Sequence, residues 1–449
     1  MAGSFLAKFA LDTREKRAWA MYDWANSGFW TVVITAVFPI YYKKVAADLA
    51  SNVADRWYGL ATALALLVIA VLAPGLGAFA DLRPYKKTFL GCFALLGAVA
   101  SSCLFFVFPG DWILALMLFG LANIGASGSV IFYDSLLPHV ARRDEVDRLS
   151  TAGFALGYLG GGLLLALSLA FIQRPAWFAL PSGEGLSEAA ATLPVRLALL
   201  CVGVWWLVFS LPVLLQVKEP PCASPKGGNP SGGKKRAITQ LKETFHDLTT
   251  SYPQAFLFLV AFLIYNDGIL TIIRMAGLIA TNRGFSESVV IGTVLGIQFI
   301  AIPFAFLFGQ LAHRFGAKRM IFTGLVIYCG ITVLAFFMSK PTHFVALGAL
   351  VGMVQGGTQA LSRSLFAGMI PAYKSGEFFA FFSIGEKFAG ILGPLLYTLL
   401  IWTTGSDQNA ILSISIFFII GGYLLKKVDI QQGKRVAEAA EEAHAVQGG

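Results

Sequence analysis

Two acidic residues of this 449-residue chain lie inside long apolar runs, where a charge is costly. Asp23 lies in MYDWANSGFW, residues 21–30, and Asp267 lies in YNDG, residues 265–268. An Asp at the centre of a bilayer costs about 2.5–3.5 kcal/mol on insertion scales, so neither side chain is expected to face lipid. Each acid could hold a proton or a cation in a hydrated cavity. The alternative is a structural hydrogen-bond network between helices.

Other polar side chains share these segments or recur nearby at helical spacing. Asp23 lies on one helical stripe with Asn26 and Trp30, because residues three or four apart share a face. The candidate substrate-binding or coupling residues are Tyr22, Asp23, Asn26, Trp30, Tyr265, Asn266, Asp267, Gln355, Gln359 and Glu386.

A pair of opposite charges occupies corresponding places in two further apolar runs. Asp134 begins D-S-L at 134–136, and Arg363 begins R-S-L at 363–365. Each lies a turn or two before the cytoplasmic end of its predicted helix. These charges could pair across the chain and close the cytoplasmic mouth of a cavity, with Asp81 in the same gate network. The alternative is that each charge pairs locally or meets lipid headgroups.

The composition predicts helices that cross a bilayer and position these residues. Hydrophobic residues make up 57% of the chain and charged residues 13%, whereas soluble domains average about 25% charged residues. Apolar runs long enough for a bilayer-spanning helix recur along the chain. We predict an all-α polytopic membrane protein with twelve transmembrane helices, at residues 18–42, 57–80, 88–108, 111–137, 150–173, 194–217, 253–280, 287–312, 319–339, 343–370, 376–402 and 408–427.

Position along the predicted helices separates the two acids. Asp267 follows Pro253 by fourteen residues, which is about 21 Å at 1.5 Å per residue. Asp23 follows Ala18 by five residues, which is about 8 Å by the same measure. Asp267 is therefore the better candidate for the membrane midplane, and Asp23 lies nearer the cytoplasmic mouth.

The basic residues predict the orientation. Segments on one side of the twelve helices carry 24 of the 34 Lys and Arg residues, and the other side carries 7. Both termini are therefore expected in the cytoplasm. The net charge of +9 reflects this topology, so no nucleic-acid partner is expected. The five cysteines form no CxxC pair, and neither a metal nor a cofactor is expected.

The chain divides into two halves that repeat. Residues 218–252 are rich in Pro, Gly, Ser and Lys, which is typical of a flexible cytoplasmic linker. They separate a six-helix half at 1–217 from a second at 253–427, and a cytoplasmic tail follows at 428–449. GAFADLRPYKK at 77–87 corresponds to GQLAHRFGAKR at 309–319, and GYLG at 157–160 to GILG at 390–393. With the D-S-L and R-S-L pair, the offsets fall between 229 and 233, which predicts a duplicated unit.

The repeated loop pattern GxxxD(R/K)xGx(R/K)(R/K) resembles the signature of the major facilitator superfamily. The first copy departs from the pattern at Leu82 and Pro84, and the second at His313. The resemblance implies the major facilitator fold, with two pseudo-symmetric six-helix halves and the substrate site between them near the midplane. The matching loop-signature residues, besides Asp81, are Gly77, Lys86, Lys87, Gly309, Arg314, Gly316, Lys318 and Arg319.

Five further motifs look like the vacuole-effluxer-like, or autophagy-related protein 22-like, branch of that superfamily. They are YDWANS at 22–27, FYDSLLP at 132–138, GYLGGG at 157–162, YNDG at 265–268 and GGTQALSRSLF at 356–366. Fungal members of the branch are associated with export of amino acids from the vacuole. The resemblance implies a secondary active transporter of a small polar solute, with amino-acid efflux as the narrower expectation and a proton or a sodium ion as the coupling ion. It also implies a bacterial inner membrane or a vacuolar-type membrane as the location.

Other functions stay open on the residues alone. The chain has no HExxH or GxSxG motif, and its histidines lie in loops, span ends or the tail, so an enzyme is not expected. A channel-like facilitator and a lipid or lysolipid flippase on the same fold are the alternatives, with membrane lipid as a partner. The duplicated halves favour alternating access over a channel.

Overall fold

The computed structural model describes residues 6–183, 185–221, 234–389 and 392–448, which fold into helices with no strand among them. Eleven helices within these residues are long and apolar enough to cross a membrane. The first long helix of the described residues, α1, is more polar and has three parts: Arg14–Gly28, the π-helical Phe29–Ala36, and Phe38–Val45. The other helices of the first half are α2 Ser51–Leu82, α3 Lys86–Cys103, α4 Trp112–Val140, α5 Val146–Gln173 and α6 Glu188–Gln216. Those of the second half are α7 Pro253–Asn282, α8 Glu287–Phe315, α9 Ala317–Phe336, α10 Pro341–Ala367, α11 Ser375–Phe388 with Leu392–Thr404, and α12 Asp407–Ser413 with Ser415–Lys427.

The break in α1 has a local cause. Pro39 lies at the start of the third part and has no N–H, so the helical bond to Thr35 cannot form. The turn before it widens, and the Val37 N–H donates to the Val32 carbonyl at 2.8 Å. Such π-turns are frequent at functional sites.

The helix packing follows the predicted repeat. In the first half α1 packs on α5 and α6, and in the second half α7 packs on α11 and α12. Between the halves, α5 packs on α8 and α10, while α11 packs in the equivalent way on α2 and α4. These four cross-half contacts position the residues that carry the candidate site.

Glycines in the GYLGGG motif let α1 approach α5 closely. A Cβ atom on Gly160 would lie 2.6 Å from the Trp24 carbonyl oxygen, and one on Gly161 would lie 2.7 Å from Thr31 Oγ1. Neither position has room for a side chain. The motif therefore has a packing role, as small residues do between membrane helices. Its repeat partner GILG includes residues 390 and 391, which lie outside the described residues.

The predicted linker is not irregular throughout, because Lys234–Thr250 forms a helix. Phe245 and Leu248 are three residues apart and so share one helical face; Leu248 is buried and Phe245 packs on Phe381 of α11. Tertiary packing of this apolar stripe stabilises a helix in a segment whose composition favoured a flexible linker. Of the linker, residues 222–233 lie outside the described residues.

The predicted tail also forms a helix, Ile430–Gly448, which spans the two halves. Arg143, between α4 and α5, pairs with Glu438 and, at 2.5 Å, with Glu441 of this helix. Glu441 also accepts a hydrogen bond from the Ala372 N–H at 2.8 Å. We call the side of the bundle that carries Glu15, Arg143 and Glu438 the terminus side.

Candidate functional site

Arg363 of α10 inserts into the first half and is held there by residues of three helices. Its Nη1 donates to Asp134 Oδ1 of α4 at 3.0 Å, and its Nη2 donates to Asp23 Oδ2 of α1 at 3.2 Å. Its Nε donates to Ser150 Oγ of α5 at 2.9 Å, and Nη2 also donates to the Ser150 carbonyl at 3.0 Å. The side chains of Arg363 and Asp134 are only 5% and 6% exposed, and that of Asp23 is 19% exposed. The contact joins the two halves through buried charge.

Aromatic rings enclose the Arg363 guanidinium. Its central carbon lies 4.9 Å from the ring centroid of Trp19, 5.4 Å from that of Tyr133 and 4.6 Å from that of Phe154. The Tyr133 hydroxyl donates to Asp23 Oδ2 at 2.8 Å. Cation–π contacts are strongest when desolvated, so the rings stabilise the charge while excluding water. The site holds one guanidinium against two carboxylates.

Small residues along α10 bring this arginine to the other half. A Cβ on Gly356 would lie 2.5 Å from Tyr158 Cε2 of α5, and one on Gly352 would lie 3.2 Å from the Ile297 carbonyl oxygen of α8. Arg363 follows Gly356 by seven residues, so the close approach of α10 to α5 places Arg363 against α5.

A second cross-half cluster forms at the first loop signature. Asp81 at the end of α2 accepts hydrogen bonds from the backbone N–H groups of Gly376 at 3.0 Å and Glu377 at 2.8 Å. These groups lie in the first turn of α11, where the helix dipole favours an anion. Lys86 pairs with the same carboxylate at 2.8 Å. Asp81 was predicted to share one network with Asp134 and Arg363, but the contacts of its carboxylate form this separate cluster.

The rest of the first signature supports that cluster. Lys86 Nζ donates to Ser375 Oγ at 2.8 Å, and Ser375 Oγ donates to the Ser135 carbonyl at 2.8 Å. A Cβ on Gly77 would lie 2.8 Å from the Gly376 carbonyl carbon, so the two backbones touch. The backbone N–H of Lys87 donates to the Glu219 carboxylate at 3.1 Å.

The second signature copy, which has His313 in place of the acid, has a different arrangement. Gly316 has φ +89°, which favours glycine and ends α8. Lys318 Nζ donates to the carbonyl of Lys426 at 2.9 Å. Arg314 and Arg319 are exposed. Gly309 faces Thr151 of α5, and a Cβ there would lie 3.1 Å from the Thr151 Cβ.

His313 stands where the signature pattern has an acid, and in this copy an acid on α5 makes the contact across the halves. Asp147, in the first turn of α5, accepts a hydrogen bond from Ser364 Oγ of α10 at 2.5 Å. His313 and Lys434 act on its carboxylate electrostatically. In both copies of the repeat an acid therefore accepts a hydrogen bond across the halves, although the acid lies on the loop in one copy and on the facing helix in the other.

The second predicted acid lies in a different environment. Asp267 of α7 is buried and interacts electrostatically with Arg274, two turns along the same helix. A Cβ on Gly393 of α11 would lie 2.9 Å from Asp267 Oδ2. Thr271 Oγ1 donates to the Asp267 carbonyl at 2.7 Å. Asp267 is therefore enclosed between α7 and α11, and it is not among the residues that contact Arg363.

The remaining predicted residues of the second half lie on facing helices. The hydroxyls of Tyr265 and Ser362 lie 2.5 Å apart, and Gln359 Nε2 donates to Asn266 Oδ1 at 3.5 Å. Gln355 is half-buried.

In the first half, Tyr22 accepts a hydrogen bond from Trp206 Nε1 at 3.3 Å, and Asn26 is buried beside it. Trp30 meets the second half, since Lys387 Nζ of α11 lies 4.2 Å from its ring centroid. Glu386 is half-buried and acts electrostatically on Asp134. The functional roles of these residues stay predictions.

Sequence reasoning missed several partners. Tyr133 was part of the quoted FYDSLLP motif, but only its neighbour Asp134 drew attention as a charge. Ser150, Trp19 and Phe154 gave no signal, because a serine or an aromatic residue in an apolar run is ordinary. Lys387 was visible as a charge within a predicted span, and its cation–π contact could not be read from spacing.

The fold is that of the major facilitator superfamily, a class of transporters that carry solutes across membranes. The proton:xylose symporter XylE, bound to 6-bromo-6-deoxy-D-glucose, matches with a TM-score of 0.71 at 14% identity, over 95% of this chain and 98% of that one. The human organic anion transporter MFSD10 matches with a TM-score of 0.68 at 14% identity, over 92% and 99%. At this identity the likeness shows the fold alone, and it confirms the predicted twelve-helix architecture.

Residues 57–438 match the family model described as vacuole effluxer Atg22 like, and the chain belongs to that family. The MFS-type transporter YxiO of Bacillus subtilis is 34% identical over 428 residues, which cover 95% of this chain and 97% of YxiO. Autophagy-related protein 22 of Coccidioides immitis is 24% identical, over 85% of this chain and 73% of the fungal one. The predicted family is confirmed, and the protein is an integral multi-pass membrane transporter.

Proposed function

We propose that the protein moves a small polar solute by alternating access, with the halves 1–217 and 253–427 rocking about a central site. The observation that carries this proposal is the buried contact of Arg363 with Asp23 and Asp134 across the two halves. A charged contact of this kind closes one mouth and can be solvated when the halves separate. It supports a gate on the terminus side, which the distribution of basic residues assigns to the cytoplasm.

Opening this gate must separate two charged clusters. Arg363 would leave Asp23 and Asp134, and Asp81 would leave the first turn of α11. Breaking a buried ion pair is costly because it leaves uncompensated charge, unless water or another cation replaces the lost partner. A proton or a sodium ion that neutralises the acids would lower this cost, which supports coupling of transport to an ion gradient.

The predicted binding residues and their partners carry both signs of charge. Lys387 contacts Trp30 across the halves, and Asp267 and Glu386 supply carboxylates on α7 and α11. A zwitterion with one cationic and one anionic group matches such a set. This chemistry supports an amino acid as the solute, and the family supports efflux as the direction.

Solute binding can be screened first by thermal unfolding of the purified protein, because a ligand that binds the folded state stabilises it by mass action. The amino acid that raises the unfolding temperature most is then reconstituted with the protein in liposomes. We expect flux that an imposed pH or sodium gradient drives against a solute gradient. Flux that responds to neither gradient would remove the coupling part of the proposal.

Two further results separate the alternatives. Asp267→Asn should abolish concentration of the solute while leaving exchange of solute, and full concentration by this variant would clear Asp267 of a coupling role. Translocation of a labelled lysolipid without solute flux would instead indicate a flippase. Solute flux at the rates of a pore, without counterflow, would indicate a channel-like facilitator.

A further inference from the structure

A groove on the outer surface of the second half lies between α9 and α12 and has a volume of about 330 Å³. Gly422 leaves it open, because a Cβ there would come only within 3.6 Å of Phe322 and 3.7 Å of Leu325. Nearly all of its lining is apolar and its terminus-side end is basic. The lining includes Phe322, Val326, Cys329, Ile419, Gly422 and Lys426.

The groove runs from Phe322 to Cys329 along α9, and together with Arg319 beyond its terminus-side end it matches the length of one leaflet of a bilayer. Arg319, Phe322, Val326 and Cys329 follow one stripe of α9, three or four residues apart. Ten residues of helix span about 15 Å, which is half of a hydrocarbon core of about 30 Å. An acyl chain from the terminus-side leaflet would reach from Arg319 to the middle of the membrane along this stripe.

Cations surround the terminus-side end of the groove. Arg319, Lys426 and Lys427 are exposed there, and Lys318 Nζ ties α9 to α12 through the Lys426 carbonyl at 2.9 Å. Asp429 is the acid that acts on Lys318. Four cations against this acid leave the end positive. Basic pockets between membrane helices bind anionic lipid headgroups.

The equivalent interface of the first half is filled. Leu214 of α6 lies against Gly91 of α3, where a Cβ would be 3.3 Å from its Cδ2, and Trp206 of α6 lies against Gly97. Side chains of α6 therefore take the space that Gly422 leaves empty on α12. This close packing of α3 on α6 contrasts with the open space beside Gly422.

We propose that this groove binds one anionic phospholipid, with an acyl chain along Phe322, Val326 and Cys329 and the headgroup phosphate at Arg319 and Lys426. The apolar walls alone would accept any acyl chain. The cluster of cations at the headgroup level selects a lipid with net negative charge over a zwitterionic one of the same chain length.

The test is native mass spectrometry of the full-length protein, with phosphatidylglycerol and phosphatidylcholine of identical acyl chains. We expect one tightly bound phosphatidylglycerol and weaker binding of phosphatidylcholine. R319A/K426A should weaken phosphatidylglycerol binding about 25-fold, since each basic residue contributes roughly fivefold. G422L should weaken it without removing charge, because a larger side chain fills the groove.

The matched control is R83A/K218A, which removes two exposed basic residues from the same side of the first half. It should bind phosphatidylglycerol as the wild type does, and all variants should keep the wild-type unfolding temperature in lipid-free detergent. Equal binding of the two lipids, or equal losses in R319A/K426A and the control, would overturn the proposal. Full binding of phosphatidylglycerol by G422L would also overturn it. So would a dimer that persists when no lipid is bound, because the groove would then have another occupant.

Discussion

Replacement of Arg363 by methionine should open the terminus side. The guanidinium donates four hydrogen bonds to Asp23, Asp134 and Ser150, three of them shorter than 3.1 Å. Hydrogen bonds to charged groups contribute about 1.5–3 kcal/mol each, and removal of one partner of a buried ion pair costs about 3–5 kcal/mol net. The cost falls on the closed state, because water can solvate the two carboxylates once the halves separate. The closed-to-open ratio should therefore fall by at least roughly 100-fold.

Distances between spin labels can measure this change in the cysteine-free protein. Asp144, between α4 and α5, and Lys427, at the end of α12, are exposed on the terminus side of different halves, so each can be replaced by a labelled cysteine. Double electron–electron resonance should give one short distance between the labels in the parent protein. With Arg363→Met, a longer distance should appear beside the short one or replace it.

The matched control is Arg196→Met. Arg196 is also buried and donates to the carbonyls of Phe105 at 3.2 Å and Ala189 at 2.6 Å, both within the first half. It should lower the unfolding temperature without changing the label distance. An unchanged distance with Arg363→Met, or an equal change with Arg196→Met, would refute the gate reasoning.

Three further predictions concern the contacts around this gate. Gly160→Leu should lower the unfolding temperature strongly, because overpacking against a backbone carbonyl costs about 1–3 kcal/mol or more. The control Gly120→Leu should lower it less, because a side chain there meets open space. Similar losses in the two variants would argue against the close α1–α5 contact. Asp81→Asn should favour the open terminus side by removing the charge at the first turn of α11, and a label distance that stays closed would count against that role. Burial opposes ionisation of Glu145, but its hydrogen bonds and charge attraction with Lys16 and Arg142 together outweigh this and hold the pKa of that carboxyl below its usual value. Its charge therefore stabilises the fold near neutral pH and loses that effect as the pH falls through its pKa, so the unfolding temperature of Glu145→Gln should vary less between pH 6 and 4 than that of the wild type.

The sequence predicted the part of this site that repetition and charge can reveal. Asp134 and Arg363 stood out because opposite charges occupied equivalent places in a duplicated unit. The approach of Asp23 to Arg363 could not be predicted, because the residues are 340 positions apart and the contact depends on how α1 packs on α5. The glycines that allow this approach were visible as a motif, but their role required the neighbouring backbone.

The helices of the linker and the tail were missed for a related reason. Composition describes the average of a segment, and Pro, Gly and Ser before residue 234 hid the short apolar stripe of Phe245 and Leu248. The tail helix gains its contacts from Arg143, in another part of the chain. Tertiary contacts of this kind stabilise most helices in proteins, and they leave little signal in the local sequence.

The most direct test of alternating access is a reversible cross-link between the halves. Asp147 of α5 and Ser364 of α10 touch at 2.5 Å, so D147C/S364C in the cysteine-free protein should form a disulfide that holds the terminus side closed. We predict that solute flux in proteoliposomes stops on oxidation and returns on reduction, while D147C and S364C alone keep their flux under both conditions. Full flux through the oxidised double variant, with the cross-link verified in the same sample, would contradict transport by rocking of the two halves.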